Sequence, residues 1–243
     1  KDNLILEKIA SVNDLKNKIV YEVGPGNGAL TDKILKKKPL KLIAIEKDKT
    51  LSSPMLKLKK KYPNNFEIIF DDVLLTDFKK FNDSNVFLVS NLPYNIATTL
   101  ILNLLQTKNV FYSLVVMIQK EVANRISANV SSKAYGRISI LAQLQSSIKT
   151  LFDVTPEKFF PKPSVLSTVI EIKPKKSSNF DYKKLDKILK FSFKQRRKTI
   201  RNNLKTLHQN SENIIIKCGI DPSVRPQDIK PEDYINLAEA LID

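Results

Sequence analysis

One cysteine, Cys218, and one histidine, His208, are all the thiol and imidazole chemistry that 243 residues offer. The lone thiol excludes an internal disulfide framework and a multi-cysteine metal site. The lone imidazole leaves little material for a Ser-His-Asp triad or a His-rich metal centre, so no metal is expected. Acid is scarce as well: 25 Asp and Glu stand against 41 Lys and Arg, a net charge of +16. A field of that sign favours polyanions, so nucleic acid is the first partner to consider. An acidic membrane surface is the rival, but no apolar run approaches the length of a spanning helix. No signal peptide is read, and the sequence begins at Lys1 rather than an initiator Met, so the start is expected to be processed or trimmed. Hydrophobic residues make up 42%, enough for the core of one large domain, or of one plus a smaller one.

The chain is organised around Ser90-Asn91-Leu92-Pro93-Tyr94-Asn95-Ile96, which follows the apolar run Val86-Phe87-Leu88-Val89. That run reads as a buried strand. Pro93 cannot continue a central strand, so the strand should stop near Asn91. An amide, a proline and an aromatic then sit together at a strand's carboxyl end, where open α/β sheets place their ligands. The alternative is an ordinary strand-to-helix turn.

Upstream, Lys18 to Val23 reads as a strand running into Gly24-Pro25-Gly26-Asn27-Gly28, and Ala29 to Lys38 has helical spacing. A glycine turn in that position presents backbone N–H groups to a nucleotide-like ligand. The spacing is Gly-x-Gly-x-Gly, not that of the dinucleotide fingerprint. A second strand, Leu42 to Ile45, ends in Glu46. An acid about 20 positions past the glycines suits a ribose diol; a solvated loop acid is the alternative. A third strand, Phe66 to Phe70, ends in Asp71-Asp72-Val73, and Leu114 to Ile118 is a fifth. Phe152 to Val154 and Val165 to Ile172 should close the sheet. Helices are expected over Leu4 to Ala10, around Lys57 to Lys61 and from Tyr135-Gly136-Arg137 onward. Strands alternating with helices predict an α/β fold with a parallel, doubly wound sheet.

The polar stretch Lys173 to Asn179 marks a boundary, giving a first domain over 1–176 and a helical second domain over 177–243. In the second, Asp181 to Lys205 holds ten Lys and Arg against two Asp and reads as a basic helix. Its densest part runs from Lys194 to Asn203. With this net charge, phosphate contact by Arg196, Arg197, Lys198 and Arg201 is favoured over a solvated face.

Together these motifs resemble the small-subunit ribosomal RNA adenine N6,N6-dimethyltransferase family. The matching stretches are Glu22 to Thr31, Ala44 to Glu46, Asn91 to Ile96, Gln119 to Arg125, Tyr135 to Arg137, Phe159 to Val165, Gln195 to Asn202 and Gly219 to Pro222 with Arg225. The likeness spans nearly the whole chain. It implies a Rossmann-like methyltransferase domain with a small C-terminal helical, RNA-binding domain. It also implies S-adenosylmethionine as cofactor and two adjacent adenines near the 3′ end of small-subunit rRNA as substrate. The partner it implies is the pre-ribosomal small subunit, met by a monomer in the cytoplasm, or in an organelle if the source is a eukaryote. By the same resemblance, Gly24 and Gly26 line the methionine part of the cofactor, Glu46 the ribose hydroxyls and Asp72 the adenine amine. Asn91 faces both cofactor and target base, with Leu92 and Pro93 beside it, and Tyr94 and Phe159 sandwich the target adenine.

The family carries a Gln-Asn-Phe-Leu-like, cofactor-touching segment before the Asp here numbered Asp2, and this chain begins at Lys1. Its triple proline reads Pro161-Lys162-Pro163, and its usual Lys is Ser164. Two alternatives share the pattern. One is a large-subunit rRNA adenine methyltransferase of the macrolide-resistance type. The other is a non-catalytic RNA-binding assembly or transcription factor. Leu92 and the Gly219 to Pro222 tail favour the small-subunit enzyme, and the intact Asn91–Tyr94 motif argues against a non-catalytic role.

Overall fold

A computed structural model describes residues 3–78, 86–107, 109–158, 165–176 and 180–242. Among them, seven strands form one sheet: β1 (Ile19–Val23), β2 (Lys41–Glu46), β3 (Phe66–Phe70), β4 (Val86–Asn91), β5 (Phe111–Gln119), β6 (Ser146–Val154) and β7 (Ser167–Pro174). The order is β3-β2-β1-β4-β5-β7-β6. The strands from β3 to β5 are parallel, and β1 lies between β2 and β4, so chain order reverses there. Connections run through α2 (Ala29–Lys36), α3 (Ser52–Lys61) and α4 (Ala97–Leu105), with α1 (Asn3–Ala10) before β1. The parallel strands are apolar on both faces, as a sheet covered on both sides requires. Val20, Leu42, Leu88, Leu114 and Val116 are fully buried. Each such side chain contributes about 1.5–3 kcal/mol.

The parallel, doubly wound sheet expected from the alternation of strands and helices holds from β3 to β5 and becomes mixed at the far edge. β7 is antiparallel to β5, and β6 is antiparallel to β7. A parallel neighbour needs a crossover, usually a helix. Between β6 and β7 the described chain holds only one 3-10 turn, Pro156–Lys158.

The chain divides into two compact units, Lys1–Ala123 with Ser146–Lys176, and Asn124–Gln145 with Ser177–Asp243. The contiguous spans expected from composition differ in one respect: Asn124–Gln145 belongs with the C-terminal helices. It leaves the sheet through α5 (Lys120–Ile126) and carries α6 (Arg137–Gln145), whose Ile140, Leu141 and Leu144 are buried. α6 packs on α7 (Tyr182–Ser192) and α10 (Pro231–Leu241). α8 (Ile200–Leu204) and α9 (Ser211–Lys217) complete this unit. Tyr234 is fully buried, with its hydroxyl donating to Pro226 O at 2.7 Å.

The single basic helix expected over Asp181 to Lys205 is two helices with a turn between them. Asp181 caps α7 by accepting from Lys183 N and Lys184 N, and Thr199 caps α8 by accepting from Asn202 N. Between them, the side chain of Asn203 donates to Gln195 O and Thr199 O and accepts from Gln195 N. These bonds satisfy turn carbonyls that a continuous helix would have used itself. Arg196, Arg197 and Lys198 therefore lie on a turn. His208 also has a local role, its Nδ1 accepting from Asn210 N at 3.1 Å. Burial, and then the Asp233 charge, push the Cys218 thiol up, which disfavours its thiolate form.

Candidate active site

The carboxyl ends of β1 and β4 meet at the reversal of strand order, where open α/β sheets hold ligands. The two are tied there: Ser90 Oγ donates to Val23 O at 2.6 Å. β1 then gives way to the glycine turn. Gly24, Gly26 and Gly28 have φ of +63°, +60° and +81°, a region costly for residues with a Cβ. The turn is anchored to β2 by Gly24 N, which donates to Ile45 O at 2.9 Å. Gly28 opens α2, with its carbonyl accepting from Asp32 N at 3.0 Å. A Cβ at Gly28 would fall 2.5 Å from Leu58 Cδ1, so here glycine lets α3 close on the turn.

Glu46 ends β2 and is only 8% exposed. Its Oε2 accepts from Gly26 N at 3.2 Å and its Oε1 from Asp48 N at 2.9 Å. It is therefore not a solvated loop acid. A carboxylate has about four acceptor positions, so two remain after these bonds. A paired donor such as a ribose diol matches that remainder.

Asp72 follows β3 as the cap of a 3-10 turn over Val73–Leu75, with its Oδ1 accepting from Leu74 N at 3.0 Å. Its Oδ2 accepts from Lys47 Nζ at 2.8 Å. The Lys47 ammonium and then the Leu74 N–H hold this carboxyl below the usual range, and Asp72 in turn raises Lys47. Asp72 is thus an anionic acceptor just beyond the strand next to Glu46.

β4 ends at Asn91, as the proline requires. Leu92 N makes one further ladder bond, to Met117 O at 3.1 Å. Pro93 O then accepts from Ile96 N and Ala97 N, which starts α4. No described residue hydrogen-bonds the Asn91 side chain, which is half-buried at the strand's end. Tyr94 is half-buried, with its hydroxyl 2.8 Å from Ser167 Oγ. The space for a Cβ on Gly24 is bounded by Pro93 Cγ at 3.2 Å. The fold therefore brings Gly24, Gly26, Glu46, Asp72, Asn91, Leu92, Pro93 and Tyr94 to one edge of the sheet. Phe159 lies outside the described residues.

The four basic residues of the second unit divide by their contacts. Arg196 donates to Lys133 O and Tyr135 O, at 3.1 and 2.7 Å. Arg201 pairs with Glu212 at 3.0 Å. Arg197 and Lys198 are exposed and pair with no described acid.

Three contributors carry no assignment from sequence. Gly28 is visible as the third glycine of its run, and Lys47 as the neighbour of Glu46. Ser167, 73 residues from Tyr94, has no local signal.

The profile of the ribosomal RNA adenine dimethylase family matches residues 1–243. The ribosomal RNA small subunit methyltransferase A of Pelagibacter ubique (strain HTCC1062) is 40% identical over 250 residues, covering 100% of this chain and 93% of that protein. The protein of that name from Malacoplasma penetrans (strain HF-2) is 44% identical over 222 residues, 90% of this chain and 79% of the relative. Among solved structures, a dimethyladenosine transferase from Plasmodium falciparum has a TM-score of 0.82 at 28% identity, covering 98% of this chain and 94% of that one. The 23S rRNA methyltransferase ErmE shares the fold, with a TM-score of 0.73 at 18% identity over 100% of this chain and 99% of its own.

Proposed function

The chain belongs to the ribosomal RNA adenine dimethylase family, and we propose that it methylates N6 of two adjacent adenines near the 3′ end of small-subunit rRNA during small-subunit maturation. The observation that carries this is the contact of the glycine turn with the Asn91 motif at the reversal of strand order. It sets a nucleoside-type cofactor cradle beside an amide and an aromatic ring. The name shared by relatives at 40% and 44% identity supports the small subunit as substrate.

The cradle fits S-adenosylmethionine. Gly24 and Gly26 would line its methionine part, Glu46 would take the ribose hydroxyls and Asp72 the adenine amine. Glu46 keeps acceptor positions after binding Gly26 N and Asp48 N. Asp72 likewise keeps acceptor positions after binding Leu74 N and Lys47 Nζ, one bond on each oxygen. When bound, the cofactor supplies a methyl group on a positively charged sulfur.

The remaining chemistry is positioning. The exocyclic amine of adenine is a poor nucleophile, because its lone pair is delocalised into the ring. The Asn91 side-chain carbonyl and the Leu92 backbone carbonyl accept its two N–H bonds and favour a pyramidal nitrogen. Pro93 holds that backbone rigid, and the Tyr94 ring stacks on the base for about 1–3 kcal/mol. No strong base is needed, which suits a motif without histidine. Phe159 is the second stacking ring in this reading. Arg197 and Lys198 contact rRNA phosphates from the second unit, and the protein works as a cytoplasmic monomer.

The test is methyl transfer by the wild type and Asn91→Ala to isolated small and large ribosomal subunits. Transfer to small subunits alone is expected, with Asn91→Ala losing at least about a hundredfold in kcat while retaining RNA affinity. Transfer to large subunits alone would overturn the reading, and wild-type kcat in Asn91→Ala would overturn the role of the amide.

A further inference from the structure

Tyr94 stands on a loop, where a tyrosine with two rotatable bonds would not by itself hold one orientation. Its hydroxyl reaches Ser167 Oγ at 2.8 Å, with either group able to donate. Ser167 is fully buried and is the first residue of β7. It is paired on both sides, with Gln119 of β5 and Val154 of β6. The partner of the tyrosine is therefore a fixed point of the sheet.

The antiparallel course of β7 puts Ser167 there. β5 runs toward the ligand edge and ends at Gln119; β7 runs away from it and begins at Ser167. A β7 parallel to β5 would bring its last residues, not Ser167, to that edge.

We propose that Ser167 is a positioning residue for substrate binding, holding the Tyr94 ring in the orientation on which the target adenine stacks. This rests on the reading of Tyr94 as the stacking ring. Ordering a side chain at a binding surface costs about 0.5–1.5 kcal/mol. A ring already fixed in the free protein avoids that cost, so the benefit appears in substrate affinity. The cofactor cradle is built from other residues, on the glycine turn and at the ends of β2 and β3, and none of them hydrogen-bonds Tyr94 or the Ser167 hydroxyl.

The experiment is a double-mutant cycle with Ser167→Ala, Tyr94→Phe and the double variant. Its substrate is small ribosomal subunits lacking adenine dimethylation. Each single change is expected to raise KM about three- to tenfold, the worth of one hydrogen bond, with kcat within about twofold. The double variant should be no worse than the worse single one, because both remove the same bond. Cofactor affinity, measured by calorimetry without RNA, should stay within about twofold. Tyr94→Phe leaves the buried strand untouched and keeps the test valid if Ser167→Ala is poorly folded. Multiplicative KM effects, or a lowered melting temperature with unchanged KM, would overturn the role of Ser167. A wild type inactive on small subunits would instead overturn the functional reading and the stacking role with it.

Discussion

Gly24 and Pro93 pack so closely that a methyl group on the first would stand 3.2 Å from the ring of the second, while one on Gly26 would meet nothing within 4 Å. Both glycines have positive φ, +63° and +60°. An alanine at either position costs about 1–2 kcal/mol of backbone strain. Only Gly24→Ala also presses on the loop that aims Asn91. Gly24→Ala is therefore expected to lower kcat together with cofactor affinity, whereas Gly26→Ala affects cofactor affinity and leaves kcat at saturation nearly unchanged. Calorimetry and steady-state kinetics on the two variants separate these effects.

Glu46 accepts one backbone N–H on each carboxylate oxygen, so it shapes the glycine turn as well as offering acceptors to a ligand. Glu46→Ala is expected to weaken S-adenosylmethionine binding by about 1.5–3 kcal/mol, the range for hydrogen bonds to a charged group. Glu46→Gln should recover little, since its NH2 group must face either Gly26 N or Asp48 N. Both comparisons are read by calorimetry; an unchanged Kd in Glu46→Ala would remove it from the cradle.

Asp32 ties α2 to α3. Its carboxylate lies 2.8 Å from Lys36 and 2.8 Å from Lys61. Burial raises its pKa, but the bonds to Lys36 and Lys61 outweigh that and hold it at about 2. A depressed folded-state pKa gives stability that is present above the ordinary carboxylate value and lost as pH falls toward the folded one. Asp32→Asn should therefore lower Tm by about 2–4 °C at pH 7. The gap from wild type should close as pH falls from the ordinary carboxylate value, near 3.8, toward about 2. Melting curves across that range check the sign.

Arg196 and Arg197 are neighbours with opposite expectations. Arg196 satisfies the carbonyls of Lys133 and Tyr135, so Arg196→Ala should lower Tm. Arg197→Ala and Lys198→Ala should leave Tm unchanged. Each should reduce the slope of log affinity against log salt for rRNA by about 0.7–0.9. An unchanged slope in the Arg197/Lys198 double variant would move the RNA surface elsewhere.

The glycine turn, Glu46 and the end of β4 were legible in sequence because each rests on a local rule. Proline halts a ladder, glycine permits positive φ, and an acid closes a strand at a characteristic offset. The basic run was legible as charge only. Which arginine turns inward depends on carbonyls more than 60 residues away, as with Tyr135. Tyr94 and Ser167 meet through a strand that returns antiparallel, and no spacing along the chain encodes that. The composition break near Lys176 marks one crossing between the units. The earlier departure at Ala123 and return at Ser146 lie in ordinary helix and strand sequence and leave no such mark.

The split origin of the second unit has a consequence for biosynthesis. A chain emerging from its N-terminus releases α6 before β6 and β7, which the sheet still awaits. The partners of α6, α7 and α10, follow later, and α10 ends at Leu241. At about 5–20 residues per second, the apolar face with Ile140 and Leu141 waits roughly 5–20 s for cover. Over that interval the uncovered face is open to non-native association, and slower translation prolongs its exposure.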